Sequence, residues 1–251
     1  MAKLLNSLLA SGMDDDKDEP STEDDRTHVP QKKLYERKVH EVSPWMIFQI
    51  MGEFVRGFDF LKRYHKAVSF FGSARANLDG EVYQEATKLA HLLSKAGFAI
   101  ISGGGPGIME AANKGAYEAG GHSVGINIRL PMEQRTNKYV KEFESFSFFF
   151  TRKVMLEFAS KIYIFFPGGF GTLDELFEMV TLIQTKKVKP IPIIIVGKKY
   201  WTPLLEWIDQ TLYKDNKAID ALDMDIYHLV DTADEAYKYI KTISKDKHLF
   251  D

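Results

Sequence analysis

The sequence contains no cysteine, which excludes a disulfide framework, thiolate metal sites and a cysteine nucleophile, and fits a cytoplasmic protein. It has no marked excess of charge either. Lys and Arg number 33 against 35 Asp and Glu, a formal net charge of -2, so nothing in the balance points to nucleic acid or an anionic membrane as partner. No apolar run approaches the ~20 residues that a bilayer span needs. The seven histidines, among them His65, His91, His122 and His228, show no metal-ligand spacing, and neither a metal nor a cofactor is expected. What remains is a chain of 251 residues, 45% hydrophobic, long enough for one large α/β domain with a substantial core.

Residues 1–30 read as an acidic tail. The apolar Leu4-Leu5-Asn6-Ser7-Leu8-Leu9 is short and is followed by Asp14-Asp15-Asp16-Lys17-Asp18-Glu19 in place of a small-residue cleavage site, which argues against a signal peptide. The acidic block is expected to be a solvated, disordered segment, not a metal site. Residues 31–64 form a helical extension, with Pro44 suited to a first turn and Trp45, Phe48, Ile50, Met51, Phe54 and Phe58 at near-helical spacing. Such a stripe is expected to pack as core, on the main domain or on a partner subunit. Gly52 and Gly57 argue against one uninterrupted helix.

From residue 65 onward apolar runs alternate with helical patterns. Strands are expected at 67–72, 98–102, 122–128, 140–150, 161–166, 191–197 and 226–230, and helices at 81–96, 106–119, 151–159, after 172, at 201–212 and at 232–244. Thr151 would cap the helix over 151–159, and Thr232 with Glu235 has capping-box spacing. Continuous apolar strands separated by helices imply a parallel sheet covered on both faces. The expected fold is a doubly wound, Rossmann-like α/β domain of about seven strands over residues 65–251. Its ligands should lie beyond the carboxyl ends of the strands.

Four stretches follow strands and carry the candidate chemistry. Pro167-Gly168-Gly169-Phe170-Gly171-Thr172-Leu173-Asp174-Glu175 turns a strand into a helix, where glycines let the backbone approach an anion and the first-turn N–H groups carry partial positive charge. Glu175 sits awkwardly for a phosphate and is expected to face another part of a ligand. Ser102-Gly103-Gly104-Gly105-Pro106-Gly107-Ile108-Met109 fails the dinucleotide fingerprint, because Ile108 stands where the third glycine belongs. Neither glycine cluster carries the Lys-Ser/Thr of a P-loop. A phosphate or a mononucleotide remains. Ser73 and Arg75 follow the first strand and are read equally well as ligand contacts or as an exposed turn. Arg152 and Lys153 open a helix, where cations oppose the dipole by a few tenths of a kcal/mol unless an anion compensates.

Together these stretches resemble the Lonely Guy (LOG) family. Pro167 to Glu175 is similar to its P-G-G-x-G-T-x-x-E signature, Arg152-Lys153-Val154-Met155 to its R-K-x-x-M, and Gly103 to Glu110 to its first glycine loop. The resemblance covers residues 66–196. Family members were long labelled lysine decarboxylases, although no lysine here is placed for pyridoxal phosphate. The activity it implies is phosphoribohydrolase: cleavage of the N-glycosidic bond of a nucleoside 5'-monophosphate, AMP or a cytokinin riboside monophosphate. It implies Arg152 and Glu175 as the catalytic pair and Gly168, Gly169, Gly171 and Thr172 as the phosphate cradle, with Lys153 beside it. Ser73, Gly104, Gly105, Met109 and Thr181 would contact substrate. Glu133 would be a further substrate-contacting acid, although one more residue separates it from Arg152 than in the plant enzymes. The resemblance also implies a homodimer. The alternative is a carrier of the same fold that binds a nucleotide or molybdenum cofactor without turnover. The presence of both Arg152 and Glu175 speaks against that alternative.

Overall fold

The computed structural model describes residues 43–75, 80–129 and 136–244; the acidic tail expected over residues 1–30 lies outside them. Seven strands, β1 Ala67–Phe71, β2 Ala99–Ser102, β3 Ser123–Ile128, β4 Glu142–Phe146, β5 Ile162–Phe165, β6 Ile193–Val196 and β7 Tyr227–Val230, form one sheet. The spatial order is β4-β3-β2-β1-β5-β6-β7, and every pairing is parallel. All residues of β1, β2, β3, β5 and β6 are buried. That is why these strands read as largely apolar runs, with Ser69, Ser102, Ser123 and Asn127 as buried polar exceptions. The edge strand β4 is instead part-exposed along most of its length and buried only at Phe146.

Seven α-helices cover the sheet: α1 Pro44–Leu61, α2 Glu81–Lys95, α3 Ile108–Glu118, α4 Phe149–Phe158, α5 Phe170–Gln184, α6 Lys198–Trp207 and α7 Ala233–Ile243. The strand pleat divides the core into two layers. Val68 and Phe70 of β1 face a layer made with α2, α3 and α7, whereas Ala67 and Phe71 face one made with α1, α4, α5 and α6. Full burial of Phe70, Phe165, Leu89 or Trp201 contributes roughly 1.5–3 kcal/mol each.

Several local expectations are corrected. Helix α1 runs without a break through Gly52 and Gly57, started by the Ser43 hydroxyl accepting from the Trp45 N–H and by Pro44 in the first turn. Gly57 is buried because α1 lies close to α4 there: an added Cβ would come within 2.3 Å of Met155 Sδ. Among the described residues most of the aromatic stripe does not pack as core, although Phe54 lies against it. Trp45, Phe48, Met51 and Val55 are exposed, and the buried positions are Glu53, Gly57, Phe60 and Leu61 on another face. Thr151 is not a cap, since α4 starts at Phe149 and Thr151 is buried inside its first turn. The helix expected over 201–212 begins earlier, at Lys198, and passes after Trp207 into a π-helical stretch, Ile208–Asp215. Thr232 does cap α7, accepting from the Glu235 N–H.

Candidate functional site

The chain leaves β1 toward β2 on one side and returns with β5 on the other, so the order reverses between β1 and β5. Open α/β sheets place ligands at such a switch point, outside the carboxyl ends of the strands. Here three loops are stitched together at that end. The Ser73 N–H donates to the Pro167 carbonyl at 3.0 Å, and the Ile108 N–H donates to the Ser73 carbonyl at 2.9 Å. Gly107 makes this junction possible: its φ is +69°, and an added Cβ would lie 2.2 Å from the Ser73 carbonyl oxygen.

Above the junction lies an open cleft of about 820 Å³. One wall is the turn from β5 into α5. Gly169 precedes α5 in an extended conformation, and no side chain caps the helix. Space beside Gly169 and Gly171 is open, so the first-turn N–H groups are accessible to an anion. Gly168 packs tightly on Thr172, where a Cβ would come within 2.1 Å of its Oγ1.

The opposite wall is α4. Arg152 Nε donates to the Ile126 carbonyl at 3.0 Å, which anchors the guanidinium to the end of β3 and lays its Nη2 against Gly103. Burial lowers the Arg152 pKa, an effect the nearby Glu175 opposes. Glu175, in the first turns of α5, is half-buried. Burial pushes its pKa up to about 7; Arg152 and Lys153 pull it down, and Glu178 and Asp174 push it up. A carboxyl poised near neutrality can carry or release a proton at working pH. Lys153 reaches Asp174 at 2.7 Å and Glu178 at 3.1 Å. Burial lowers its pKa, but these two hydrogen bonds outweigh that and raise it.

The cleft thus brings together Arg152, Glu175, Ser73, Met109, Lys153, Gly168, Gly169, Gly171 and Thr172. Lys153 is already held by two carboxylates and Arg75 is exposed at the cleft, so Arg152 is the half-buried cation left there. Gly104 and Gly105 do not line it. Gly104, at φ +71°, packs against Asn127, and the Gly104 and Gly105 carbonyls accept from the backbone and side-chain amides of Asn137. They shape the loop from beneath. Thr181 is exposed and its hydroxyl donates to the Phe177 carbonyl of its own helix. Glu133 lies outside the described residues. Among the described residues no group of three or more His, Cys, Asp or Glu could hold a metal ion, and no helix is long and apolar enough to cross a membrane.

Three residues at the cleft were not among the candidates the sequence offered. Tyr200, from α6, lines the cleft and its hydroxyl donates to the Gly168 carbonyl; it follows the end of β6, and the rule that ligand residues follow strands could have found it. Phe149 and Phe170 stand at the cleft, and Phe170 is 93% exposed. Nothing in their spacing sets them apart from core aromatics.

The fold is that of a Rossmann-like α/β protein, with an open cleft at its topological switch point. Solved structures share that fold. The molybdenum cofactor carrier protein of Chlamydomonas reinhardtii is 19% identical with a TM-score of 0.56, covering 72% of this chain and 99% of that one. The molybdenum cofactor binding protein of Rippkaea orientalis is 21% identical with a TM-score of 0.53, covering 71% and 95%. A family model described as "Possible lysine decarboxylase" matches residues 109–240. A cytokinin riboside 5'-monophosphate phosphoribohydrolase of Arabidopsis thaliana, LOG5, is 32% identical over 154 residues, 60% of this chain and 66% of that protein. A rice protein (Oryza sativa subsp. japonica) named as a probable enzyme of the same kind, LOGL3, is 31% identical over 154 residues, 60% of this chain and 72% of its own length. The chain belongs to this family, that of the LOG proteins.

Proposed function

We propose that the protein hydrolyses the N-glycosidic bond of a nucleoside 5'-monophosphate, AMP or a cytokinin riboside 5'-monophosphate, to give the free base and ribose 5-phosphate. The observation that carries this reading is the pairing across one cleft of Arg152 with Glu175, a carboxyl raised to about 7. The relatives' names support it. In this reading the 5'-phosphate sits on the uncapped start of α5, cradled by Gly168, Gly169, Gly171 and Thr172. The ribose faces Glu175. As the C1'–N bond breaks, its electron pair leaves with the base and C1' becomes oxocarbenium-like, a charge that ionised Glu175 stabilises. Water adds its oxygen to C1'; its proton passes to Glu175, and a proton is returned to the departing base. Arg152 favours the ionised form of Glu175 against the effect of burial and steadies the phosphate side of the ligand. Met109 and Phe149 supply apolar surface for the base. A homodimer belongs to the same proposal, with the exposed apolar residues of α1 as the surface for a second copy.

The competing reading is a carrier that binds without turnover, favoured only by the fold shared with cofactor carriers. Incubation with AMP and with isopentenyladenosine monophosphate, followed by chromatography, separates the two. Release of free base and ribose 5-phosphate is expected. Binding of both nucleotides with no release from either would establish the carrier reading instead.

A further inference from the structure

Helix α4 begins with a conflict. Arg152 and Lys153 lie in its early turns, no acidic residue lies in its first turn, and its N-cap, Phe148, offers no side-chain hydrogen bond. The missing cap comes from α1. Glu53 is 3% exposed; its Oε1 accepts from the Ser147 N–H at 2.6 Å, and its Oε2 accepts from the Phe148 N–H at 3.4 Å and from the Thr151 hydroxyl at 2.5 Å. Among the described residues no Lys, Arg or His forms an ion pair with it. A carboxylate this buried would be costly without partners. Here the partners are the donors at the start of one helix, whose dipole favours an anion at that end.

We propose that Glu53 is a positioning residue for Arg152, setting the rotation and depth of α4 so that the guanidinium meets the cleft. Thr151, which Glu53 grips, directly precedes Arg152. One helical turn further along both helices, Gly57 abuts Met155, so closely that an added Cβ would lie 2.3 Å from Met155 Sδ and 3.0 Å from Phe146 Cζ. Two contacts a turn apart fix both the azimuth and the register of α4 on α1. Arg152 then completes its placement through Ile126. Helix α1 lies outside the residues matched by the family model, 109–240, so the support for the cleft's central cation comes from a segment beyond that matched stretch. The inference rests on the role given to Arg152 above.

The test compares the full chain with Glu53→Ala and Glu53→Gln by two readouts. The first is NMR of the Arg152 Nε–H group, assigned with Arg152→Lys, which should exchange slowly with solvent in the unaltered protein because it is bonded to Ile126. Glu53→Ala should speed that exchange by ~10-fold or more, with Glu53→Gln between, because a single amide oxygen cannot serve all three donors. The second is AMP hydrolysis: kcat should fall by ~10-fold with KM within about twofold. The acid limb of the pH profile should move upward, since retreat of Arg152 leaves Glu175 with Lys153 as its remaining cation and with Asp174 and Glu178 as its anions. A lowered melting temperature with Arg152 exchange and pH profile both unchanged would make Glu53 a structural cap only and overturn the proposal. If the unaltered protein releases no base from AMP, the hydrolase reading fails, and the Nε–H exchange alone still decides the positioning role. If Glu53→Ala does not fold, Glu53→Gln carries the comparison.

Discussion

Tyr200 donates its hydroxyl hydrogen to the carbonyl oxygen of Gly168, tying the start of α6 to the glycine turn before α5. Because the peptide unit is planar and trans, holding that carbonyl toward α6 turns the Gly169 N–H the opposite way. The turn is thereby set before any ligand arrives, and less ordering remains to be done on binding.

Tyr200→Phe removes this bond and keeps the ring, which also packs edge-on against Trp201. A neutral hydrogen bond is worth about 1 kcal/mol, so KM for AMP should rise about fivefold with kcat within about twofold. Steady-state kinetics check this. An equal fall in kcat with KM unchanged would mean that Tyr200 acts on the transition state and not on the phosphate turn.

Glu175 gives a prediction of pH dependence with a definite sign. Its pKa of about 7 in the folded chain stands above the ~4.3 of an unfolded glutamate. Between those values the folded protein keeps a proton that the unfolded chain has lost. Stability therefore falls as pH rises through that window, and the whole penalty is present above pH 7. Glu175→Gln, neutral throughout, should melt a few degrees higher than the unaltered protein at pH 8, and the two should converge as pH falls below ~4. Calorimetry reads this directly. Its AMP hydrolysis should be lower by ~100-fold or more, and the unaltered protein should lose about tenfold in kcat per pH unit below 7. Coincident melting curves at pH 8 would show that Glu175 is not strained by its charge.

The sheet was legible because burial on both faces writes itself as largely apolar runs, unbroken in β5 and β6 and with a single serine in each of β1 and β2. The glycine turns were legible because a strand-to-helix turn at the sheet's carboxyl end has few other residue choices. Local chemistry misled where a distant element supplied the answer. Thr151 looks like a cap because it precedes a helical pattern, but its hydroxyl serves Glu53, 98 positions away. Gly57 looks like a helix breaker because sequence shows the flexibility it brings and not the Met155 side chain it makes room for. The carbonyls of Gly104 and Gly105 are taken by Asn137, 32 positions after Gly105, a structural role that the glycine pattern alone does not show.

Arg152→Lys is not conservative at this site. The arginine uses Nε on Ile126 and keeps Nη2 against Gly103 at the cleft. A lysine ammonium is one compact charge that can serve one of these places but not both. The neighbouring Lys153 offers no substitute, being held by Asp174 and Glu178. AMP hydrolysis should fall by ~100-fold, and Arg152→Ala should be no more than a few times worse. A variant Arg152→Lys with near full activity would show that charge alone suffices there and would remove the anchored fork from the mechanism.

Helix α1 is apolar on more of its surface than the other described residues cover. Glu53, Gly57, Phe60 and Leu61 face inward, while Trp45 is 69% exposed and Phe48 64%. Phe58 meets Phe158 of α4 edge-on at 5.5 Å, and Phe158 is itself exposed, so the apolar surface continues from one helix to the next. A helix hydrophobic on most sides is normally buried, and an exposed patch of this continuity marks an interface. If a second copy covers it, the protein should run in light scattering at twice its chain mass of 28.7 kDa. Phe48→Glu with Val55→Glu places two charges on that face and leaves the inward one alone, so the doubly substituted protein should run at the single-chain mass while keeping its fold by circular dichroism. Glu53 and Gly57 lie on the same helix, one face away from these two positions. The monomer should therefore retain the slow Arg152 Nε–H exchange even if its turnover changes, which separates what α1 does for α4 from what it does for a second copy. Single-chain mass in the unaltered protein at micromolar concentration would rule out the second copy as the cover of this face.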